Sequence, residues 1–357
     1  MATLEEFYNA GTIVSVWNGL KSGNNSTNFK KPLEKWFPHM PTTDMDITLA
    51  RGYKNRNVNM DLCAYDTNAR VRGLQPISYE TKEIPFFKNS ILFTEKDRRN
   101  LLMAVKLGAG NQAVMTALSS HMQNVVDVLL NGADVVCERY RAQLLQHGAI
   151  TISSPDSAIS KSSISINYDI SGEWHDNNVG AWSTNPSFGS SDALKDIVDV
   201  FEAYIDQNGL SPCTMIMSGS TYLSLLNDTK IKDLLDTQKY ESIEDVIQKR
   251  TKVPVTIQLD NMKYRPDINA PEIPYWEHDV VALVPNSPLG HIMCGQTPVQ
   301  YDQEYSNVKR DVAVSAENFS VLCRHIDDPV QIETICSACL LPQFDKMDEC
   351  FVIRPHQ

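Results

Sequence analysis

Several short tracts of this chain gather side chains capable of chemistry. Cys336-Ser-Ala-Cys339 has the C-x-x-C spacing used by zinc sites and thiol redox pairs, but a closed zinc site takes four ligands and no second C-x-x-C or paired histidine motif accompanies it. It also lies in the apolar run ETICSACLLP, which reads as a strand, where positions i and i+3 point to opposite faces. Glu173, His175 and Asp176, and separately Glu277-His278-Asp279, combine carboxylate with imidazole, a donor set that suits divalent cations. Adjacent residues seldom converge on one ion, so both clusters read as solvated loops. His325-Ile-Asp-Asp328 is similar, with Pro329 favouring a turn or sheet edge. Met217-Ser-Gly-Ser220 places two serines after a strand, where capping a helix is their commoner use. Lys30, Lys31 and Lys35 beside Trp36 and Phe37 interleave charge with aromatics as a single-strand nucleic-acid platform does, in one short tract only. The spacings of a P-loop, a dinucleotide fingerprint, an H-E-x-x-H helix and a nucleophile elbow are absent. The expectation is a chain without catalytic residues, metal or cofactor.

Composition narrows the classes further. With 44 acidic against 32 basic residues and a net charge of −12, gripping phosphate backbones is a poor candidate for the main task. The charge is uneven: residues 1–100 hold 14 Lys/Arg against 11 Asp/Glu, and the remainder 18 against 33. Hydrophobic residues at 42% and charged residues at 21% describe a globular protein, and 357 residues suggest about two domains. The opening MATLEEFYNAGTIVSVW carries acids where an export signal is basic, and no apolar run approaches the roughly 20 residues that span a bilayer. Eight scattered cysteines in such a chain read as reduced, buried thiols.

The elements that would position these residues follow from periodicity and breakers. Residues 1–48, with Gly, Asn and Ser at 22–26 and Pro at 32, 38 and 41, read as an arm that packs on something else, anchored by Trp17, Trp36 and Phe37. Residues 49–94 alternate short β-type runs with basic positions and predict a long two-stranded excursion turning at Asp66-Thr67-Asn68. From Ala113 to His147 apolar residues recur at three- and four-residue steps, predicting a spine helix of about 50 Å at 1.5 Å per residue, closed by Gly148, with Asn131-Gly132 as a point of bending. Two antiparallel strands follow near 149 and 163. A punctuated amphipathic helix spans 190–209, and strands and helices alternate to 320, so that 185–320 reads as an α+β domain and 321–357 as a return to the sheet begun near 149.

This order of segments resembles the capsid fold of tailed bacteriophages. Three tracts carry a closer resemblance to the family of the phage lambda major head protein, phage capsid protein E: 164–204 (ISINYDISGEWHDNNVGAWSTNPSFGSSDALKDIVDVFEAY), with Trp182 between a strand and a helix; 281–302 (VALVPNSPLGHIMCGQTPVQYD), a strand with a glycine-centred turn; and 319–353, with an aspartate-proline step before paired strands. The first 120 residues match in layout more than in letters. The resemblance implies an α+β fold of the Hong Kong 97 type: N-terminal arm (1–48), extended β-hairpin loop (49–94), peripheral domain with spine helix (95–184), axial domain (185–320) and C-terminal return to the peripheral sheet (321–357).

The resemblance also implies a major capsid protein that assembles with itself as hexamers and pentamers into an icosahedral shell around double-stranded DNA. It would form in the host cytoplasm and reside in the virion, with a scaffolding protein, a portal and a decoration protein as partners, and no membrane. The contact candidates between copies are Trp17, Trp36 and Phe37 of the arm, Arg51, Lys54, Arg56, Arg70 and Arg72 of the excursion, and Phe86 and Phe87 at its end. The competing readings are a metal-dependent hydrolase using His175, Asp176 or His278, and another phage structural protein.

Overall fold

The structure is a computed structural model that describes residues 9–22, 31–44, 46–51, 78–106, 125–153, 163–169, 172, 174–180, 182, 192–237, 240–267, 270–306 and 310–355. In chain order the elements are α1 (Ala10–Ser22), β1 (His39–Pro41), β2 (Asp46–Arg51), β3 (Ser78–Glu83), β4 (Phe86–Phe93), α2 (Glu95–Lys106), α3 (Asn131–His147), β5 (Ala149–Ser153), β6 (Ser163–Asn167) and β7 (His175–Val179). There follow α4 (Ala193–Asn208), β8 (Cys213–Met217), α5 (Gly219–Leu226), α6 (Thr229–Asp236), α7 (Ile243–Thr251), β9 (Val255–Leu259), β10 (Lys263–Tyr264), β11 (Ile273–Pro274), β12 (Val281–Pro285), β13 (Gly290–Gly295), α8 (Pro298–Tyr305), β14 (Asp311–Val314), β15 (Ser320–Ile326), β16 (Gln331–Phe344) and β17 (Phe351–Pro355). The described residues within Met1–Ile47, Glu83–Arg141 and His291–Gln343 form one compact unit, and those within Thr48–Lys82, Ala142–Gly290 and Phe344–Gln357 another.

The first unit is built on a six-stranded sheet ordered β1-β13-β16-β15-β14, with β4 on the free edge of β16. Strand β16 pairs antiparallel with β15 (Ser320↔Ser337 to Ile326↔Gln331) and with β4 (Phe93↔Ile332 to Phe86↔Cys339), so its N-terminal half is central. The period of two is legible in β4: Phe93 is buried, whereas Phe86 and Leu92 on the opposite parity are exposed. Phe86–Phe93 was expected in the excursion; the structure instead gives it to this sheet, because its ladder to β16 satisfies the backbone of both strands.

The N-terminal segment also departs from expectation, for it packs on its own unit. Asn9 caps α1 by accepting the Thr12 amide at 2.8 Å, and Asp311 of β14 accepts the Ala10 amide at 3.1 Å. Trp17 lies 5.9 Å from the Phe319 ring and donates its indole N–H to Asn131 Oδ1 at 3.3 Å. Further on, α3 presents Asp134, Glu138 and Arg141 at i, i+4 and i+7, a single helix face. Lys31 Nζ reaches Asp134 at 2.7 Å, the Leu33 amide donates to Glu138 Oε1 at 3.0 Å, and Arg141 Nε donates to the Phe37 carbonyl at 3.0 Å. Arg141 also binds Glu138 at 2.8 Å and donates to His39 Nε2 at 3.2 Å. Guanidinium has no acceptor atom, so His39 accepts there and carries its proton on Nδ1, toward Cys294 Sγ at 3.4 Å. Glu138 and Arg141 are both fully buried.

In the second unit the sheet runs β7-β17-β12-β8-β9. Strands β7 and β17 are parallel, β17 with β12 and β12 with β8 antiparallel, and β8 with β9 parallel. Helices α4 and α7 supply Ile197, Phe201, Tyr204, Val246 and Ile247 to a core shared with Met215, Leu283 and Phe351. Local punctuation is as the sequence predicts: Ser218 accepts the Thr221 amide, Ser242 the Asp245 amide, and Gly209 and Gly148 adopt φ of 66° and 60° at helix ends.

Two further expectations fail on strand pairing. Strand β5 pairs with β6 in a separate two-stranded sheet, and the C-terminal stretch joins neither: β16 belongs to the first unit's sheet, and β17 sits between β7 and β12. Phe351, Val352 and Ile353 are buried on both strand faces, which requires such a central position. The unit boundaries accordingly differ from the expected domains, with His291–Gln343 apart from Ala142–Gly290. The spine helix is described from Val125: a π-helical turn at Val126–Leu130 precedes α3, with the Asn131 amide bonded to the Val126 carbonyl. That irregularity ends at the Asn131-Gly132 position singled out in the sequence. Of the excursion, β2 pairs with β3 at its base, and 52–77, including the expected turn, lies outside the described residues.

Two predictions follow from the core. Arg141→Met leaves the Glu138 charge, the Phe37 carbonyl and His39 without their donor and is expected to cost about 3–5 kcal/mol of unfolding free energy, read as a lowered denaturant midpoint at unchanged m; adding Glu138→Leu is expected to restore much of it. Separately, burial pushes the thiols of Cys213, Cys294, Cys323 and Cys336 up to about 12 and Cys339 up to about 11, from an ordinary 9.0. The unfolded chain therefore loses these protons first, so their contribution is full below pH 9 and declines as pH rises from 9 toward 12. Denaturant titrations should show the midpoint falling across that window, with a smaller fall in a Cys213→Ala, Cys336→Ala variant relative to its own value at pH 8.

Candidate functional site

The polar tracts singled out in the sequence have separate, satisfied environments. His175 stacks on Phe351 at 4.2 Å with an interplanar angle of 4°, and burial lowers its pKa. Asp176 takes Arg354 Nε on both carboxylate oxygens at 2.9 Å, and Arg354 also donates to the Gln146 carbonyl and to His147 Nδ1 at 3.2 Å. Since Arg354 donates to Nδ1, His147 carries its proton on Nε2 and donates it to Glu277 at 3.2 Å. The residues suggested for a hydrolase, His175, Asp176 and His278, thus have three different partnerships: an aromatic ring, a guanidinium, and a serine at 2.7 Å from His278. Among the described residues no group of three His, Cys, Asp or Glu side chains could hold a metal ion. Cys336 and Cys339 are buried free thiols whose protons are held tightly, the opposite of what thiolate chemistry needs.

Surfaces rather than clefts carry the remaining candidates. Phe86 is 47% exposed and Leu92 44%, on the outward parity of β4. Phe87, on the inward parity, is half-buried with its ring 6.3 Å from Tyr140. On α8, Tyr301 and Tyr305 stand 55% and 74% exposed with ring centroids 4.5 Å apart. Arg51 ends β2, while Lys54, Arg56, Arg70 and Arg72 lie outside the described residues. Trp17, Trp36 and Phe37 are corrected here: at 1%, 0% and 0% exposure they are buried against their own unit and offer no surface to another copy. The residues that hold the arm, Asp134, Glu138 and Arg141, were missed in the sequence. Their signal was available, as charged residues at i, i+4 and i+7 within a helix whose remaining positions are largely apolar.

Among the described residues no helix is long and apolar enough to cross a membrane. No family model matches the sequence, and no curated protein matches it. Solved structures do. A protein assigned as a prophage capsid protein from E. coli CFT073 superposes with a TM-score of 0.56 at 12% identity, over 98% of this chain and 99% of that one. A phage-related protein from Bordetella bronchiseptica RB50 gives 0.51 at 15% identity, over 97% and 96%. At such identities the shared property is the fold, and it extends over nearly the whole length of each chain. The chain has the α+β fold of tailed-phage capsid proteins.

Proposed function

We propose that this chain is the major capsid protein of a tailed bacteriophage, which assembles with itself as hexamers and pentamers into the icosahedral head around double-stranded DNA. The observation that carries the reading is agreement of fold with the E. coli prophage capsid protein over 98% of this chain and 99% of that one. The three tracts at 164–204, 281–302 and 319–353 add the lambda head protein's family as the nearer affinity. The chemistry is consistent with a structural role, since the imidazoles, carboxylates and thiols discussed above sit in separate packing and hydrogen-bonding arrangements.

Shell formation requires each copy to bury area against several neighbours, generally about 1,200–2,000 Å² per specific contact. The outward face of β4 with Phe86, and the basic excursion with Arg51, Lys54, Arg56, Arg70 and Arg72, are the surfaces proposed for this. Trp17, Trp36 and Phe37 instead fix the arm within the subunit. The acidic remainder of the chain suits a wall that holds a polyanion without adhering to it. In this reading the partners are further copies, a scaffolding protein, a portal and a decoration protein, and the protein's place is the virion after assembly in the host cytoplasm.

Electron microscopy of the full chain co-expressed with its scaffold is expected to show closed shells or rings of five and six copies; a clean monomer under every assembly condition overturns the reading. Deleting residues 65–71 is expected to leave a soluble chain with unchanged circular dichroism that forms no shells. Normal shells from that variant would refute the role given to the excursion while leaving the capsid reading standing.

A further inference from the structure

Two tracts that the sequence presents 58 positions apart meet in the second unit: Ser220 Oγ lies 2.7 Å from His278 Nδ1. Both side chains are exposed, and Ser220 is not consumed by the helix it begins, because Ser218 does the capping of α5. A run of hydroxyls leads to the pair. The Asp279 amide donates to Thr221 Oγ1 at 3.1 Å, Thr221 Oγ1 lies 2.9 Å from Ser218 Oγ, and Ser218 Oγ lies 2.9 Å from Ser220 Oγ. One directional order that satisfies the whole run has Thr221 donating to Ser218, Ser218 to Ser220, and Ser220 to His278. Ser218 Oγ accepts the Thr221 amide as well at 3.3 Å, which holds it in place.

That order has a chemical meaning. Ser220 Oγ receives a hydrogen bond, which stabilises negative charge developing on it, and gives its own proton to an imidazole nitrogen that can keep it. The same two features activate serine nucleophiles generally. The Ser220 amide lies in the first turn of α5, where backbone amides have no carbonyl of their own helix to donate to. The Gly219 amide is already taken by Asn261 Oδ1 at 2.8 Å.

We propose that Ser220 is a base-assisted nucleophile that accepts one acyl group from an activated ester, with His278 as the base and Ser218 and Thr221 as positioning residues. In the step, Ser220 Oγ forms a bond to the ester carbonyl carbon, the bond from that carbon to the leaving oxygen breaks, the leaving group departs as the phenolate, and the serine proton moves to His278 Nδ1. The product is a stable acyl serine, a modification rather than a turnover cycle. This inference is independent of the capsid reading and fails or stands separately from it.

The experiment is to treat the full chain with p-nitrophenyl acetate and follow phenolate release, intact mass and the modified peptide. Ser224, one turn further along α5 with its hydroxyl on the Ser220 carbonyl at 3.2 Å, is the internal control. The expected result is one acetyl group on Ser220, absent in Ser220→Ala, slowed about 100-fold in His278→Gln and not detected on Ser224. Ser218→Ala should also slow it, with Ser218→Thr restoring the rate because the hydroxyl returns; unchanged circular dichroism in each variant excludes misfolding. Acetylation confined to lysines, equal labelling of Ser220 and Ser224, or an unchanged rate in His278→Gln overturns the proposal.

Discussion

A buried guanidinium is the constraint on which the first unit depends. Arg141 is fully removed from water, so its charge has to be met by Glu138, the Phe37 carbonyl and His39 together, and losing any of them leaves polar atoms stranded in a medium of low dielectric. The N-terminal segment does not meet it by chance of packing: the helix repeat places Asp134, Glu138 and Arg141 on one face, and Lys31, Leu33, Phe37 and His39 arrive along it in the same order. The charged face thus sets the register of an otherwise irregular stretch. Once that register is set, Trp36 and Phe37 are buried, and β1 is delivered to its parallel partner β13 with His39 opposite Ile292.

Much of the fold was legible because it is local. The helix at 193–208 announces itself through an apolar face and Gly209 at its end, although its cap is Asp192 and not the serines just before it; Gly148, Ser218 and Ser242 are read in the same way. The order of strands and helices from 213 to 285 was legible for the same reason. What was not legible is pairing at a distance. Nothing in FFKNSILF says that its partner is a strand beginning at Gln331, and nothing in FVIRP says that it lies between residues 175–179 and 281–285. The clamp on the arm escaped because aromatic residues in a breaker-rich tract read as ready for a foreign surface, while the charges that retain them lie about a hundred positions away. The meeting of Ser220 and His278 was hidden similarly, since each tract was weighed alone.

For the proposed shell, these findings move the burden of association. Aromatic arm residues buried in their own subunit have little surface left to give a neighbour, which is why the proposed contacts were assigned to the edge strand β4 and the basic excursion. An edge strand with exposed Phe86 and Leu92 is a liability in a protein meant to remain solitary and useful in one meant to meet its own kind. The fold's agreement with a prophage capsid protein over nearly its whole length is in keeping with that division, because the core elements are common and the surface letters are not.

The seven cysteines among the described residues are free, buried and held as neutral thiols. Thiolates are the species that attack peroxides and disulfide reagents, and these positions supply almost none while the structure stays closed. The folded subunit can therefore pass from a reducing interior to aerated water with these seven sulfurs chemically unaltered, and what they contribute to its durability there is packing.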